Sequence, residues 1–161
     1  MRTYVFLMML FALPAQAHKP FFSEGQHTTS DSAWRIDDPD ISIVLYHEVT
    51  CEADQVWLTF DSQPGAEIFF QLGVPVLDRL RDYGPSIALL APGLPSISDD
   101  LPFPIPDGLG GLVYHARDIQ GPTEFYEPFT QTESWIWIEE TIAMVESGTG
   151  YVVAWHPETR P

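Results

Sequence analysis

His18 is the residue whose position suggests metal chemistry most directly. Residues 1–17 have the features of a secretory signal: Arg2, an apolar run, and the small-x-small sequence Ala15-Gln16-Ala17. Cleavage after Ala17 would give His18 both an α-amine and an imidazole, a chelate that suits Cu(II). Such a site needs a further histidine. The chain offers His27, His47, His115 and His156, and His115, which borders a proline-rich segment, is the best partner. A periplasmic copper site at His18 and His115 is therefore one functional hypothesis.

A second metal hypothesis rests on three aspartates near the start of the first predicted strand. Asp37, Asp38 and Asp40 surround Pro39, whose rigid backbone could bring carboxylates together around a hard cation such as Ca²⁺. The segment has no EF-hand spacing and lacks the glycine that such loops use. The alternative is a solvated acidic turn that leads into the strand.

Aromatic and acidic residues suggest a surface that binds carbohydrate. Trp135 and Trp137 alternate with two isoleucines, so both tryptophans point outward if the isoleucines face the core. Exposed indole rings stack on sugars, and Asp99 and Asp100 of the proline-rich segment would supply a hydrogen-bonding rim. The alternative is that a neighbouring strand or the N-terminal segment covers the tryptophans.

Patterns typical of hydrolytic enzymes are missing from the sequence. There is no Gly-x-Ser-x-Gly motif, and the single Cys51 has no local catalytic signature. With 23 acidic residues in the chain, adjacent carboxylates carry little information about catalysis. We therefore predict no catalytic residues and favour a protein that is not an enzyme.

The charge balance excludes two classes of partner. Acidic residues outnumber lysine plus arginine by 23 to 7, which gives a net charge of −16. A chain of this charge would repel nucleic-acid phosphates and anionic membrane surfaces. After the signal, no segment reaches the length of a transmembrane helix. The remaining partner classes are a glycan or another protein of the cell envelope.

Seven short apolar runs separated by turn signals predict the fold. The runs are alternating or continuous in apolar residues and are bounded by turns, and no segment is a convincing amphipathic helix. This pattern is typical of an antiparallel β-sandwich or jelly roll of about seven to eight strands. The one helical candidate, at 76–83, spans at most two turns. A bulge at Glu139-Glu140 would re-aim the long strand, since Glu140 otherwise falls on its apolar side. The predicted strands lie at 41–49, 56–61, 68–72, 86–90, 112–115, 135–145 and 151–155.

Three segments organise the mature chain in this prediction. Residues 18–40 form a polar arm held to the surface by its aromatic side chains, and residues 41–161 form a single sandwich domain. Within that domain the proline-rich segment 91–111 is either a functional loop or a rigid cover over the sandwich. We expect Cys51 to be buried, because it has no partner in the chain, and His47 to be a hydrogen-bonded core histidine.

Several motifs resemble those of uncharacterised secreted bacterial β-sandwich proteins. The similar segments are IDDPDIS at 36–42, GVPVL at 73–77, APGLP at 91–95, LPFPIPDG at 101–108 and EPFT at 127–130. Residues 56–60 and GTGYVV at 148–153 are similar to the pre-peptidase C-terminal type of domain. The N-terminal histidine resembles that of copper-binding periplasmic β-sandwich proteins. The family resemblance implies a jelly-roll fold and an extracytoplasmic location, and it transfers no catalytic residues.

The leading hypothesis from the sequence is an exported binding module that does not catalyse a reaction. Its binding surface would consist of the proline-rich segment and the two outward tryptophans. The alternative is the periplasmic copper protein that uses His18.

Overall fold

The described structure, a computed structural model, comprises residues 19–127 and 131–156. These residues form an all-β fold, as the alternation pattern predicted. The ten strands are β1 Lys19–Ser23, β2 Trp34–Arg35, β3 Ile43–His47, β4 Gln55–Ser62, β5 Glu67–Pro75, β6 Ser86–Ala91, β7 Gly110–His115, β8 Thr123–Glu127, β9 Thr132–Ala143 and β10 Gly148–Trp155. Three short 3-10 helices span Ser30–Ser32, Asp78–Leu80 and Ala116–Asp118. No helix within the described ranges has the length and apolar character needed to cross a bilayer.

The strands form two main sheets and one small sheet. The larger sheet has the order β2-β4-β10-β6-β7, and the smaller one has the order β5-β9-β8. Strands β1 and β3 make a separate parallel pair, and β2 joins β4 in parallel, whereas the other pairings are antiparallel. From β4 onward the chain passes between the two main sheets four times, at the β4–β5, β5–β6, β7–β8 and β9–β10 connections, and these connections tie the sheets together.

The main core lies between the two sheets. Alternate residues of β4, β6 and β10 meet alternate residues of β5 and β9, and each strand contributes large apolar side chains. Burial of these side chains supplies most of the driving force for folding. The fully or nearly fully buried members are Phe60, Ile68, Phe70, Ile87, Leu89, Ala91, Ile138, Met144 and Val152.

A second core covers the other face of the larger sheet. Trp57, Leu90 and Trp155 point to this outer face, where Phe103 of the proline-rich segment packs on them. The Phe103 ring lies edge-on to the indoles of Trp57 and Trp155, with centroids 5.0 and 5.1 Å away. Because both faces of the sheet are covered, all six residues of β6 are buried. A strand covered on both faces has a continuous apolar sequence, as β6 does.

Two consecutive glycines hold the proline-rich segment against the sheet. The backbone N–H of Gly111 donates to the carbonyl oxygen of Pro95 over 2.8 Å. A Cβ on Gly110 would lie 1.9 Å from the carbonyl oxygen of Leu94, so no other residue fits there without displacing the segment. This segment is therefore a packed cover over the sheet, one of the two roles that the sequence left open.

The long strand β9 contains a bulge at a different place from the predicted one. The register with β5 shifts between Leu72 and Gly73. Leu72 is paired with Ile138 and Gly73 with Ile136, so Trp137 is the extra residue. The predicted bulge at Glu139-Glu140 is wrong, since both residues pair regularly with β5. Extra residues of this kind reverse the alternation of side chains along a strand.

This bulge also corrects the predicted orientation of the two tryptophans. Trp135 pairs with Val74 on the inner side of the sheet and is 7% exposed. Trp137 packs against the core between the sheets. The expected outward platform of Trp135 and Trp137 is therefore wrong, because the bulge turns both indoles inward.

The segment predicted as an arm contains two strands of its own. Phe21 of β1 stacks on Trp34 of β2 with ring centroids 4.0 Å apart, and Ile36 packs against the main core. Its aromatic side chains therefore hold it in place, as predicted, although its strands were not predicted. The signal at 1–17 and His18 lie outside the described residues.

His47 and Cys51 differ in how well the sequence predicted them. Both ring nitrogens of His47 have partners, with Nδ1 3.2 Å from the Ser23 hydroxyl and Nε2 3.0 Å from the Ala53 carbonyl oxygen. The expectation of a hydrogen-bonded histidine is confirmed. The expectation of a buried Cys51 is wrong, because this residue lies exposed in the connection between β3 and β4.

Candidate functional site

A recess lies at the end of the larger sheet where β7 and β10 end and β6 begins. It consists of two adjoining pockets that share Arg117. The first, which we call the loop pocket, has a volume of about 230 Å³ and is lined by Asp100, Leu101, Pro102, His115, Arg117 and Trp155. The second, which we call the turn pocket, has a volume of about 340 Å³ and is lined by Asp82, Gly84, Ala116, Arg117, Ile119, Gly121, Trp137 and His156.

Strand register places the side chains of the loop pocket. Ser86 is paired with Trp155 on one side and with His115 on the other, so three strand ends stand in one row. The proline-rich segment then covers this row and contributes Asp100 to the pocket.

A short helix places Arg117 between the pockets. The 3-10 helix Ala116–Asp118 follows β7 directly, and the backbone N–H of Ala116 donates to the carbonyl oxygen of Pro85 over 3.1 Å. Ala116 is almost fully buried, so it anchors the turn while Arg117 projects from it. The position of the guanidinium group therefore depends on backbone that is fixed by the fold.

The imidazole of His115 is oriented by a buried serine. The hydroxyl oxygen of Ser86 lies 2.7 Å from Nδ1 of His115, and the ring stands edge-on to Trp155 with centroids 6.0 Å apart. Since Nδ1 is engaged, Nε2 is the ring nitrogen left for a ligand.

This serine–histidine pair does not have the geometry of a nucleophilic catalyst. A catalytic serine must reach the substrate, but Ser86 has no exposed surface. Its role in the recess is to fix the histidine ring.

Trp137, which lines the turn pocket, carries a buried hydrogen-bond donor that the solvent in the pocket does not reach. The indole Nε1 of Trp137 is buried and has no hydrogen-bond partner within the described part of the chain. A buried polar group left unpaired costs about 1–3 kcal/mol. On another wall of the same pocket, the His156 ring lies against Tyr83 with centroids 4.5 Å apart.

Arg117 keeps most of its charge available to a ligand. Its Nε lies 4.0 Å from the carboxylate of Asp118, and both side chains are about two thirds exposed, 66% and 69%. Exposed pairs of this kind contribute at most about 1 kcal/mol. By contrast, Arg81 binds the Asp78 carboxylate at 3.2 Å and also lies over the Trp135 ring. The charge of Arg117 is therefore the more available of the two.

The recess brings together some of the site residues predicted from the sequence. Asp100 and His115 line the same loop pocket, and Trp137 lines the turn pocket from its buried side. Asp99 does not line either pocket, and Trp135 is covered by Arg81.

Sequence reasoning did not single out Arg117, and it named His156 only as one of the histidines that could partner His18. Both follow the ends of predicted strands, at 112–115 and 151–155. Residues that follow strand ends at one edge of a sandwich share a surface, and this signal could have identified them.

The predicted calcium residues have other interactions. Asp37 lies 3.6 Å from Arg35, and the carboxylate of Asp38 accepts the backbone N–H of Asp40 over 3.1 Å. Residues 19–127 and 131–156 contain no group of three or more histidine, cysteine, aspartate or glutamate side chains arranged to hold a metal ion.

For the copper hypothesis, the structure describes only one of the two predicted ligands. His18 lies outside the described residues, and the neighbouring Lys19 begins β1 on the β2 side of the molecule. His115 ends β7 at the opposite edge of the larger sheet. Four strand spacings, about 19 Å, separate β2 from β7. Because His18 is not among the described residues, the copper site stays a prediction.

Comparisons of the chain with protein-family models, with curated proteins and with solved structures each gave no match. The recess is therefore the feature from which a function can be inferred. Its lining offers a guanidinium group, two imidazoles and two carboxylates, which together can bind a polar ligand through both donors and acceptors.

Proposed function

We propose that this protein is an exported binding module that holds a small polar ligand in the Arg117 recess without transforming it. The observation that carries the proposal is the convergence of Arg117, His115 and Asp100 on one recess at the end of the sheet. Ligand sites are concave and carry a few placed polar groups, and this recess is concave and carries such groups.

The rigidity of the walls supports a binding role. His115 is fixed by Ser86, Arg117 projects from an anchored turn, and Asp100 belongs to the packed proline-rich segment. A recess whose groups are held in place by the fold loses little entropy when a ligand enters.

The burial of Ser86 supports binding rather than catalysis in the loop pocket. Ser86, the hydroxyl nearest the imidazole of the loop pocket, is fully buried. Activation of a nucleophile requires that the nucleophile also contact the substrate.

The proposed location is the periplasm or the cell exterior. It is supported by the charged start, the apolar run and the Ala15-Gln16-Ala17 sequence of residues 1–17. An exported module would meet glycans and envelope proteins, which are the partner classes that the charge of −16 leaves open.

The direct test is to titrate the isotope-labelled protein with a panel of saccharides and small organic acids by two-dimensional NMR. Signals of the Trp137 and Trp155 indole N–H groups report on the two pockets separately. A ligand of the recess should shift these signals in the wild type and lose its effect in Arg117→Ala.

The matched control is Arg79→Ala, which removes an arginine from the 3-10 helix Asp78–Leu80 outside both pockets. This variant should bind like the wild type. The proposal is wrong if no panel member shifts the recess signals, or if the shifts concentrate on the outer face of the smaller sheet around Phe69.

A further inference from the structure

We infer that the free edge of β5 pairs with β5 of a second copy of this chain, so that two three-stranded sheets join into one sheet of six strands. The residues concerned lie outside both pockets of the recess, and the inference stands independently of the proposed function. It rests on the direction of the β5 backbone groups, on how the other sheet edges end, and on the order of the side chains along β5.

Every second residue of β5 directs its backbone N–H and C=O groups away from β9. Just before the strand, the carbonyl oxygen of Ala66 accepts the N–H of Met144 over 2.8 Å, and just after it the N–H of Val76 donates to Glu133 of β9 over 3.0 Å. Bond directions alternate along an antiparallel strand. The residues between these two bonds that point their backbone groups to the free edge are therefore Glu67, Phe69, Gln71 and Gly73.

These four residues leave the edge of β5 open. All four are exposed, and within the described residues nothing forms a hydrogen bond with their outward backbone groups. Phe69, near the middle of the row, is 58% exposed. A row of unpaired strand groups is a template for a further strand, and an exposed aromatic ring adds apolar surface for that strand to cover.

The other edges of the two main sheets are short, covered or bounded by proline. On β7, the N–H of Gly111 donates to Pro95 of the proline-rich segment. Strand β2 has only two residues, and β8 has five residues between Pro122 and Pro128. Such features discourage pairing with another chain. Strand β5 has nine residues and no proline before Pro75, so it is the longest of the four edges and the least protected.

The order of side chains on β5 fits a second copy of the same strand. A two-fold axis at Phe69 places the two Phe69 rings opposite each other and Glu67 of each copy opposite Gln71 of the other. Both members of each pair direct their backbone groups to the edge, so each pair can exchange two backbone hydrogen bonds. Ring then faces ring and carboxylate faces amide, whereas two carboxylates placed directly opposite each other would repel.

The Gln71 amide can take part in this pairing without losing its present contact. Its Nε2 already donates to the Glu139 carboxylate of β9. The amide nitrogen carries a second N–H group, which is available to Glu67 of the second copy. Because each chain has a net charge of −16, the dimer should form more readily when salt screens the repulsion between the copies.

Pairing through β5 should end with two chains. A two-fold contact uses the same surface on both copies, so both β5 edges are occupied once the dimer has formed. The outer strands of the joined sheet are then the two β8 strands, whose five residues lie between prolines. The expected product is therefore a dimer rather than a fibre.

The test is sedimentation equilibrium of the purified protein at two salt concentrations. A contact made by a few strand residues is at the small end of specific interfaces, so we expect a Kd of about 0.1 mM in 1 M NaCl. In 0.1 M NaCl the Debye length rises from about 3 Å to about 10 Å, and the Kd should be at least about threefold weaker.

Charge substitutions at Gln71 test the register of the pairing. Gln71→Lys places a cation opposite Glu67 of the second copy and should tighten the dimer about threefold in 0.1 M NaCl, whereas Gln71→Glu places like charges opposite each other and should weaken it about threefold. The matched controls are Gln26→Lys and Gln26→Glu, because Gln26 is also exposed and donates to a carboxylate, that of Glu24. These controls make the same changes in net charge outside β5, so they should alter the Kd by less than about twofold.

Amide hydrogen exchange, measured by NMR at low and high protein concentration, locates the interface. Dimer formation should slow exchange at Phe69 and Gln71, whose N–H groups point to the free edge. The intervening residues of β5 already bond to β9 and should change little. The Tyr126 amide of β8 is the control, because its β9 partner Glu133 bonds to the β5 side instead, and its exchange should not depend on concentration.

Four results would overturn the inference. A protein that stays monomeric at about 1 mM in 1 M NaCl would leave the β5 edge to a strand of another protein. A dimer without added protection at Phe69 and Gln71 would place the contact elsewhere. Open-ended association with protection at Tyr126 would show that β8 pairs. Equal responses to the Gln71 and Gln26 substitutions would show that Gln71 does not face Glu67 of the second copy.

Discussion

Replacing Phe103 by alanine tests whether the proline-rich segment is a packed cover. Phe103 is 7% exposed and lies edge-on to Trp57 and Trp155. A buried phenylalanine removes about 170 Å² from water, worth about 4 kcal/mol at roughly 25 cal/mol per Å². The alanine methyl group retains about 1 kcal/mol of this, so Phe103→Ala should lower the free energy of unfolding by about 3 kcal/mol.

The assay is equilibrium unfolding in urea, followed by tryptophan fluorescence. The midpoint should fall while the m-value stays constant, and Phe103→Leu should recover more than half of the loss. The matched control is Phe69→Ala, because Phe69 is 58% exposed on the outer face of the smaller sheet, and its loss should cost less than about 1 kcal/mol. Equal effects below 1 kcal/mol at both positions would refute the packing of this segment on the sheet.

Three further changes test other parts of the structure. Gly110→Ala should lower the free energy of unfolding measured in urea by more than about 2 kcal/mol, because the new Cβ would lie 1.9 Å from a backbone oxygen. Gly108→Ala, where nothing lies within 4 Å, should cost only about 1 kcal/mol, because Gly108 has a positive φ. Equal costs would contradict the close contact at Gly110. Burial, with a smaller contribution from the charge of Glu140, raises the pKa of Tyr114. Above about pH 10 the unfolded chain therefore loses this proton first, and stability falls as the pH rises through the folded pKa. Tyr114→Phe should remove this contribution to the loss of stability at high pH. Glu140→Gln should lower the pKa of Tyr114, which is measured from the ultraviolet absorbance of tyrosinate. A pKa that Glu140→Gln leaves unchanged would exclude the charge effect. Native Cys51 should react with a thiol reagent at the rate of an exposed thiol, with one group modified per chain, and a reaction that requires denaturant would show that it is covered.

The sequence was sufficient to predict the fold wherever one strand buries one face. Strand β5, with Ile68 and Phe70, alternates cleanly because only one of its sides faces the core between the sheets. Strands β1, β2 and β8 were missed because they are short and mostly exposed, so their side chains carry little of this alternation.

The candidate site was only partly predictable, and the reason is the bulge in β9. One extra residue at Trp137 inverts the expected facing of the tryptophans, and nothing in the spacing of apolar residues locates that residue. Asp100 and His115 were selected for their closeness to the proline-rich segment, and they meet because β7 follows that segment directly. Only the structure identifies Arg117 as a site residue, because it places the turn after β7 beside Trp137.

The contact between the proline-rich segment and Gly110 and Gly111 has a consequence for how the recess can discriminate between ligands. Gly110 and Gly111 seat the segment at Leu94 and Pro95, and Phe103, next to the Pro102 that lines the loop pocket, packs on two indoles, so this wall cannot widen without separating from the sheet. Under the proposed binding role, a ligand that is too long for the recess must extend past Arg117 into solvent, so each group added beyond that point should contribute little affinity. The protein would recognise the end of a chain rather than its interior, and its capacity would be set by the number of chain ends.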